Sequence, residues 1–81
     1  MYAIKLPAFP QFIRKNSDGS AGATFSILAD SYQFPTVQDA VNFVHTFHGE
    51  VVEEDIDETG ATIAMSGHPR DLRIYEVVEI K

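Results

Sequence analysis

Only one stretch of this chain repeats its apolar residues at the period of a helix; almost everything else alternates at the period of a strand. Val37, Ala40, Val41, Val44 and Phe47 recur at spacings of three and four, which places them on one face of an α-helix. Gln38, Asn42, His45 and Thr46 take the other face, with Phe43 at the margin. Thr36 is positioned to cap the first turn, and Asp39 completes a capping box while opposing the positive end of the helix dipole. Gly49 suits the left-handed residue that follows a helix end. The spacing therefore predicts a helix over residues 36–48, a rod of about 18 Å at ~1.5 Å per residue. One helix cannot bury its own stripe, so the strands must form a sheet beneath it.

The strands can be placed from their alternation. Tyr2, Ile4 and Leu6 share one face and Ala3 and Lys5 the other, the pattern of a half-buried strand. Pro7 and Pro10 stop that strand or hold it at an edge, and residues 11–15 continue as a short extended edge segment. Residues 16–22 are a loop of small polar residues built around Asp18-Gly19. Phe25, Ile27 and Ala29 alternate along a second strand over residues 23–29. Residues 50–56 and 61–65 read as a hairpin closed by Asp57-Glu58-Thr59-Gly60. After a loop at 66–71, a last strand spans residues 72–80, with Leu72, Ile74, Val78 and Ile80 on one face. Glu76 interrupts that face and implies a bulge or a solvated stretch. The expected fold is α+β: a small, mostly antiparallel sheet in the order β-β-α-β-β-β, with one amphipathic helix packed on one face. It forms a single domain over residues 1–81.

At 81 residues the chain holds one thin core, with little room for a deep catalytic pocket. Cysteine is absent, which excludes disulfides, thiolate nucleophiles and cysteine-based metal clusters. No apolar run approaches the ~18 residues of a membrane span, and the start of the chain does not resemble a signal peptide. The chain thus reads as a complete soluble protein, with a cytoplasmic location expected.

Charge narrows the function further. Twelve acids against six bases give a formal net charge of −6. Between residues 36 and 66 there are seven acids (Asp39, Glu50, Glu53, Glu54, Asp55, Asp57 and Glu58) and no Lys or Arg. Direct binding to nucleic acid or to an anionic membrane is disfavoured, because both need a basic face that releases counterions. A protein partner with a basic surface is the natural counterpart. Glu50, Glu53, Glu54, Asp55, Asp57 and Glu58 are the candidate partner-binding residues, since a hairpin of carboxylates can imitate a phosphate backbone. The competing reading is a solvated strand edge whose like charges prevent aggregation.

Other constellations are weaker. Asp55, Asp57 and Gly60 match the first, third and sixth places of a calcium loop, but Ser66 stands where a bidentate Glu belongs. His45 and His48 are three apart and His68 lies in a later loop, so these histidines form a candidate metal site without the His-Glu-x-x-His motif. Ser66-Gly67-His68 lacks the pattern of a nucleophile elbow, and no glycine-rich loop leads into a helix, which argues against an enzyme. No cofactor is implied. Phe9 and Phe12, beside Lys5, Arg14 and Lys15, are secondary interface candidates for a protein partner or a homodimer.

The Tyr2-Ala3-Ile4-Lys5 start, a glycine-containing hairpin, the helix opening Phe34-Pro35-Thr36-Val37-Gln38-Asp39-Ala40-Val41 and the acidic strand after it resemble small phage-type β-β-α-β accessory proteins. Host-factor and nuclease inhibitors are common among these. The likeness covers about the first two-thirds of the chain and is one of plan, so no residue role comes with it. It implies a small non-enzymatic inhibitor or modulator, encoded by a phage or mobile element, that docks its acidic hairpin on a basic, nucleic-acid-binding surface of a host protein. The alternatives are a structural or self-assembling homodimer and, third, a metal-dependent site at His45, His48 and His68.

Overall fold

The computed structural model describes residues 1–7, 11–67 and 72–80. Three strands precede the helix and three follow it: β1 (Tyr2–Lys5), β2 (Phe12–Lys15), β3 (Ala21–Ser26), α1 (Val37–Val44), β4 (Glu50–Ile56), β5 (Ala61–Ser66) and β6 (Leu72–Glu79). These six strands join one antiparallel sheet in the order β3-β2-β1-β6-β5-β4, with α1, the one α-helix among the described residues, against it. The class is α+β as expected, but the chain order contains one more strand before the helix. Residues 11–15, expected at an edge, form an interior strand. The edges are β3 and β4. Ile27 is not part of a strand; β3 ends at Ser26 and a 3₁₀ turn follows at Leu28–Asp30, leaving Ile27 and Leu28 exposed.

The helix forms where its stripe predicts, though shorter. Thr36 caps it, its hydroxyl accepting the Asp39 N–H at 3.1 Å. Val37, Ala40, Val41 and Val44 are buried beneath it. The regular turns end at Val44; residues beyond close through the Thr46 N–H to Phe43 carbonyl and Phe47 N–H to Val44 carbonyl bonds, both 3.0 Å. His48, within the span predicted as helix, lies past this end and is exposed. Gly49 has φ +127°, and a Cβ there would stand 2.7 Å from the Ser66 carbonyl oxygen. Glycine is required at that point because β4 begins against the backbone of β5.

Register decides which side chains reach the helix. Opposite residues in an antiparallel pair face the same side, so Ile4, Val77, Ile63, Tyr75 and Met65 share the covered face. All five are buried, together with Ile13 from β2. The face expected for β6 is thus inverted. Tyr75 and Val77 enter the core, whereas Leu72 and Ile74 point to the opposite face, 62% and 39% exposed; that face is uncovered over β4, β5 and the start of β6, while Ala3 and Phe12 farther along it are buried. Glu76 needs no bulge, because it lies opposite Lys5 on the uncovered face and the two side chains pair at 3.2 Å.

The sheet is unevenly knit. β4, β5 and β6 are paired along their lengths, whereas among the described residues β1 and β2 share one register pair, Lys5 and Phe12, with the Leu6 N–H donating to the Gln11 carbonyl at 3.0 Å beside it. Beyond it the two strands splay, and residues 31–34 fill the gap. Tyr2 and Phe34 exchange both backbone bonds (2.8 and 2.7 Å), and the Tyr32 N–H donates to the Ile13 carbonyl at 2.8 Å. The β2–β3 hairpin is therefore held to the body by a narrow joint and a strap.

Candidate functional site

The acidic strand β4 is the outermost strand of the sheet, and every residue in it is exposed. Its acids do not project as one block. Strict alternation would place Glu50 with Glu54, on the side opposite Glu53 and Asp55. A register shift between Val51 and Glu53 changes that parity. Glu50, Glu53 and Asp55 stand opposite Ser66, Ala64 and Thr62, all on the uncovered face of the sheet. Glu54 stands opposite Ile63, on the helix side, where its carboxylate pairs with the His45 imidazole.

Asp57 and Glu58 lie in the β4–β5 turn. Asp57 is engaged by its own turn: Oδ1 accepts the Thr59 N–H at 2.8 Å, the Thr59 hydroxyl at 2.8 Å and the Gly60 N–H at 3.0 Å. These bonds favour the carboxylate, and the Thr59 backbone and hydroxyl bonds hold its pKa below the ordinary aspartate value. Glycine belongs at position 60 because a Cβ there would stand 2.5 Å from the Val77 carbonyl oxygen. The residues compared above with a calcium loop are thus a hairpin, with Asp55 inside a strand and Asp57 closing the turn.

Across the uncovered face the acids border other chemistry. Moving inward from β4, the next column is Ser66, Ala64 and Thr62, short side chains that leave the surface low. Beyond them stand Leu72, Ile74 and Glu76 of β6, in register with those three. The surface therefore runs from a carboxylate rim over a shallow strip to exposed aliphatic side chains, with Val52 also 62% exposed at the bulge. Sequence reasoning missed Leu72 and Ile74 as surface residues because it assigned them to the core.

The remaining candidates separate. Phe12 is only 8% exposed and sits beside Lys5, so it is a packed residue and not the interface anchor proposed from its neighbours. Phe9 and His68 lie outside the described residues. His45 faces Glu54, whereas His48 borders a different hollow, near the helix end. Among the described residues, no three His, Asp or Glu side chains converge as a metal-binding group, and no helix is long and apolar enough to cross a membrane. None of the protein families, curated proteins or solved structures compared with this chain matches it.

Proposed function

We propose that this protein is a small non-enzymatic binding module whose uncovered sheet face, bounded by β4, docks on a protein partner with a basic surface. The observation that carries this reading is the alignment of Glu50, Glu53 and Asp55 on the same face as exposed Leu72 and Ile74. An apolar centre beside a charged rim is the anatomy of a protein interface, in which the centre supplies affinity and the rim steers approach. The partner would present Lys or Arg opposite the rim and an apolar patch opposite β6. A groove that otherwise holds nucleic acid satisfies the first requirement, which fits an inhibitor or modulator of phage or mobile-element type acting in the cytoplasm.

Two copies pairing through β4 would bring Glu50, Glu53, Glu54 and Asp55 of each chain together, and like charges on facing strands oppose that contact. A homodimer through this edge is accordingly the weaker reading.

The test is a triple reversal, Glu50→Lys, Glu53→Lys and Asp55→Lys, which leaves the His45–Glu54 pair and the Asp57 turn intact. Stability should change by no more than about 0.5 kcal/mol, as for exposed sites. Proteins captured from bacterial lysate at low salt by the parent chain should be lost by the variant and lost at higher salt. Capture of the same proteins by both chains would overturn the reading, and concentration-dependent self-association in light scattering would replace it with the homodimer.

A further inference from the structure

On the opposite, helix-bearing side of the sheet, a hollow of about 560 Å³ lies between the β2–β3 hairpin, the end of the helix and β6. Its volume lies in the range of small-molecule sites, roughly 300–1,000 Å³. The helix ends at Val44 and packs on β1, β5 and β6, so it does not roof the hairpin side. Four aromatic side chains, Phe25, Phe43, Phe47 and Tyr75, line that space beside small and polar residues.

These rings form one connected run. Phe43 and Phe47 meet edge to face at 5.4 Å, Phe47 and Tyr75 at 5.0 Å, and Tyr75 and Phe25 lie nearly parallel at 6.2 Å. Phe25, Phe43 and Phe47 remain only partly buried. Large rings left half covered around a concave space are suited to a planar guest, which would complete their burial.

The charge of the wall selects the kind of guest. Aromatic walls alone would also accept an organic cation. Here Arg73 and His48 line the hollow, and among the described residues none of the lining is acidic. The five N–H donors of Arg73 suit a carboxylate or phosphate alongside the neighbour it already serves, and offer an organic cation no acceptor.

We propose that this hollow is a binding site for a planar aromatic small molecule bearing one anionic group, its ring among Phe25, Phe43, Phe47 and Tyr75 and its charge at Arg73. The site is separate from the acidic rim and does not depend on the protein-binding reading. A ligand there would bridge the β2–β3 hairpin to the body of the sheet.

The experiment is an amide NMR titration of the full chain with 1-naphthoate, neutral 1-naphthamide and benzyltrimethylammonium. Shifts should concentrate in residues 21–25, 43–48 and 73–75, with naphthoate binding about tenfold more tightly than the amide through a charge-assisted contact. Arg73→Gln should remove that advantage and leave naphthamide binding in place. Ala23→Phe, which fills the exposed wall without touching the core, should weaken both ligands and shows whether the hollow is the site even if the Arg73 variant misfolds. Equal binding of naphthoate and naphthamide by the parent, preference for the cation, shifts on the uncovered face, or unchanged binding in Ala23→Phe would each overturn the proposal.

Discussion

The two margins of the sheet are built on opposite plans. At one, β4 is paired to β5 from Glu50 to Ile56, interrupted only by the bulge, and carries its charge outward. At the other, the β2–β3 hairpin reaches β1 through Lys5 and Phe12 and borrows residues 31–34 to close the gap. The first margin holds its side chains on a paired backbone, which lowers the ordering cost of docking on another protein. The second borders a hollow and, among the described residues, pairs with β1 at one register position, so it is the part of the sheet expected to open first. Both margins share one core, so the difference lies in attachment and in the charge each carries outward.

The largest effect should come from shortening a fully buried side chain on either side of the joint. Ile63 and Ile13 are both 0% exposed, one in β5 and one in β2. Ile63→Ala should cost about 2–5 kcal/mol of global stability in denaturant unfolding, the range for buried large-to-small changes. Ile13→Ala should fall at or below the low end of that range, with amide exchange accelerating first in β2 and β3. Equal losses with uniform exchange would show a single cooperative unit and erase the distinction between the margins.

A smaller effect separates the start of β4 from the rest of its margin. Gly49→Ala places a methyl 2.7 Å from the Ser66 carbonyl oxygen at a φ of +127°. The cost should be about 1–3 kcal/mol, the scale of a strained backbone position. Exchange should rise at Glu50 and Val51, whereas the β2–β3 hairpin should be unaffected. Loss of protection in the hairpin instead would mean that the two margins are coupled through the core.

How legible these margins were in the sequence follows from how local their causes are. The helix was readable because its stripe, its Thr36 cap and its Asp39 lie within a few residues of one another. The β4–β5 hairpin was readable from its alternation and its Asp57-Gly60 turn. The face of β6 was not, since Leu72, Ile74, Val78 and Ile80 outnumber Tyr75 and Val77 and invite the wrong assignment. What places Tyr75 and Val77 in the core is pairing with Ile63 and Ile4, residues distant in sequence. The acidic run was visible as composition, but its division was not, because the register shift around Val52 belongs to the pairing with β5. The aromatic hollow gathers Phe25, Phe43, Phe47 and Tyr75 from three parts of the chain, and no spacing rule anticipates it.

The finest comparison uses two turns that match in design. Asp18, in the β2–β3 turn, accepts the Ser20 hydroxyl at 2.6 Å and the Ser20 N–H at 2.9 Å, much as Asp57 accepts from Thr59 in the β4–β5 turn. The Ser20 hydroxyl and backbone bonds lower the Asp18 pKa, as the Thr59 bonds lower that of Asp57. With the folded value below the unfolded one, each carboxylate adds stability that is present above the ordinary value of 3.8 and lost as pH falls through the folded value. Asp57→Asn should therefore reduce the melting temperature modestly at pH 6, with the difference from the parent vanishing toward pH 2. Asp18→Asn should show the same pH dependence in the exchange of β2 and β3 amides while leaving the global melting temperature closer to that of the parent. If both variants shift global melting equally, the hairpin unfolds together with the body, and the hollow beside it is bounded by two parts of one rigid sheet.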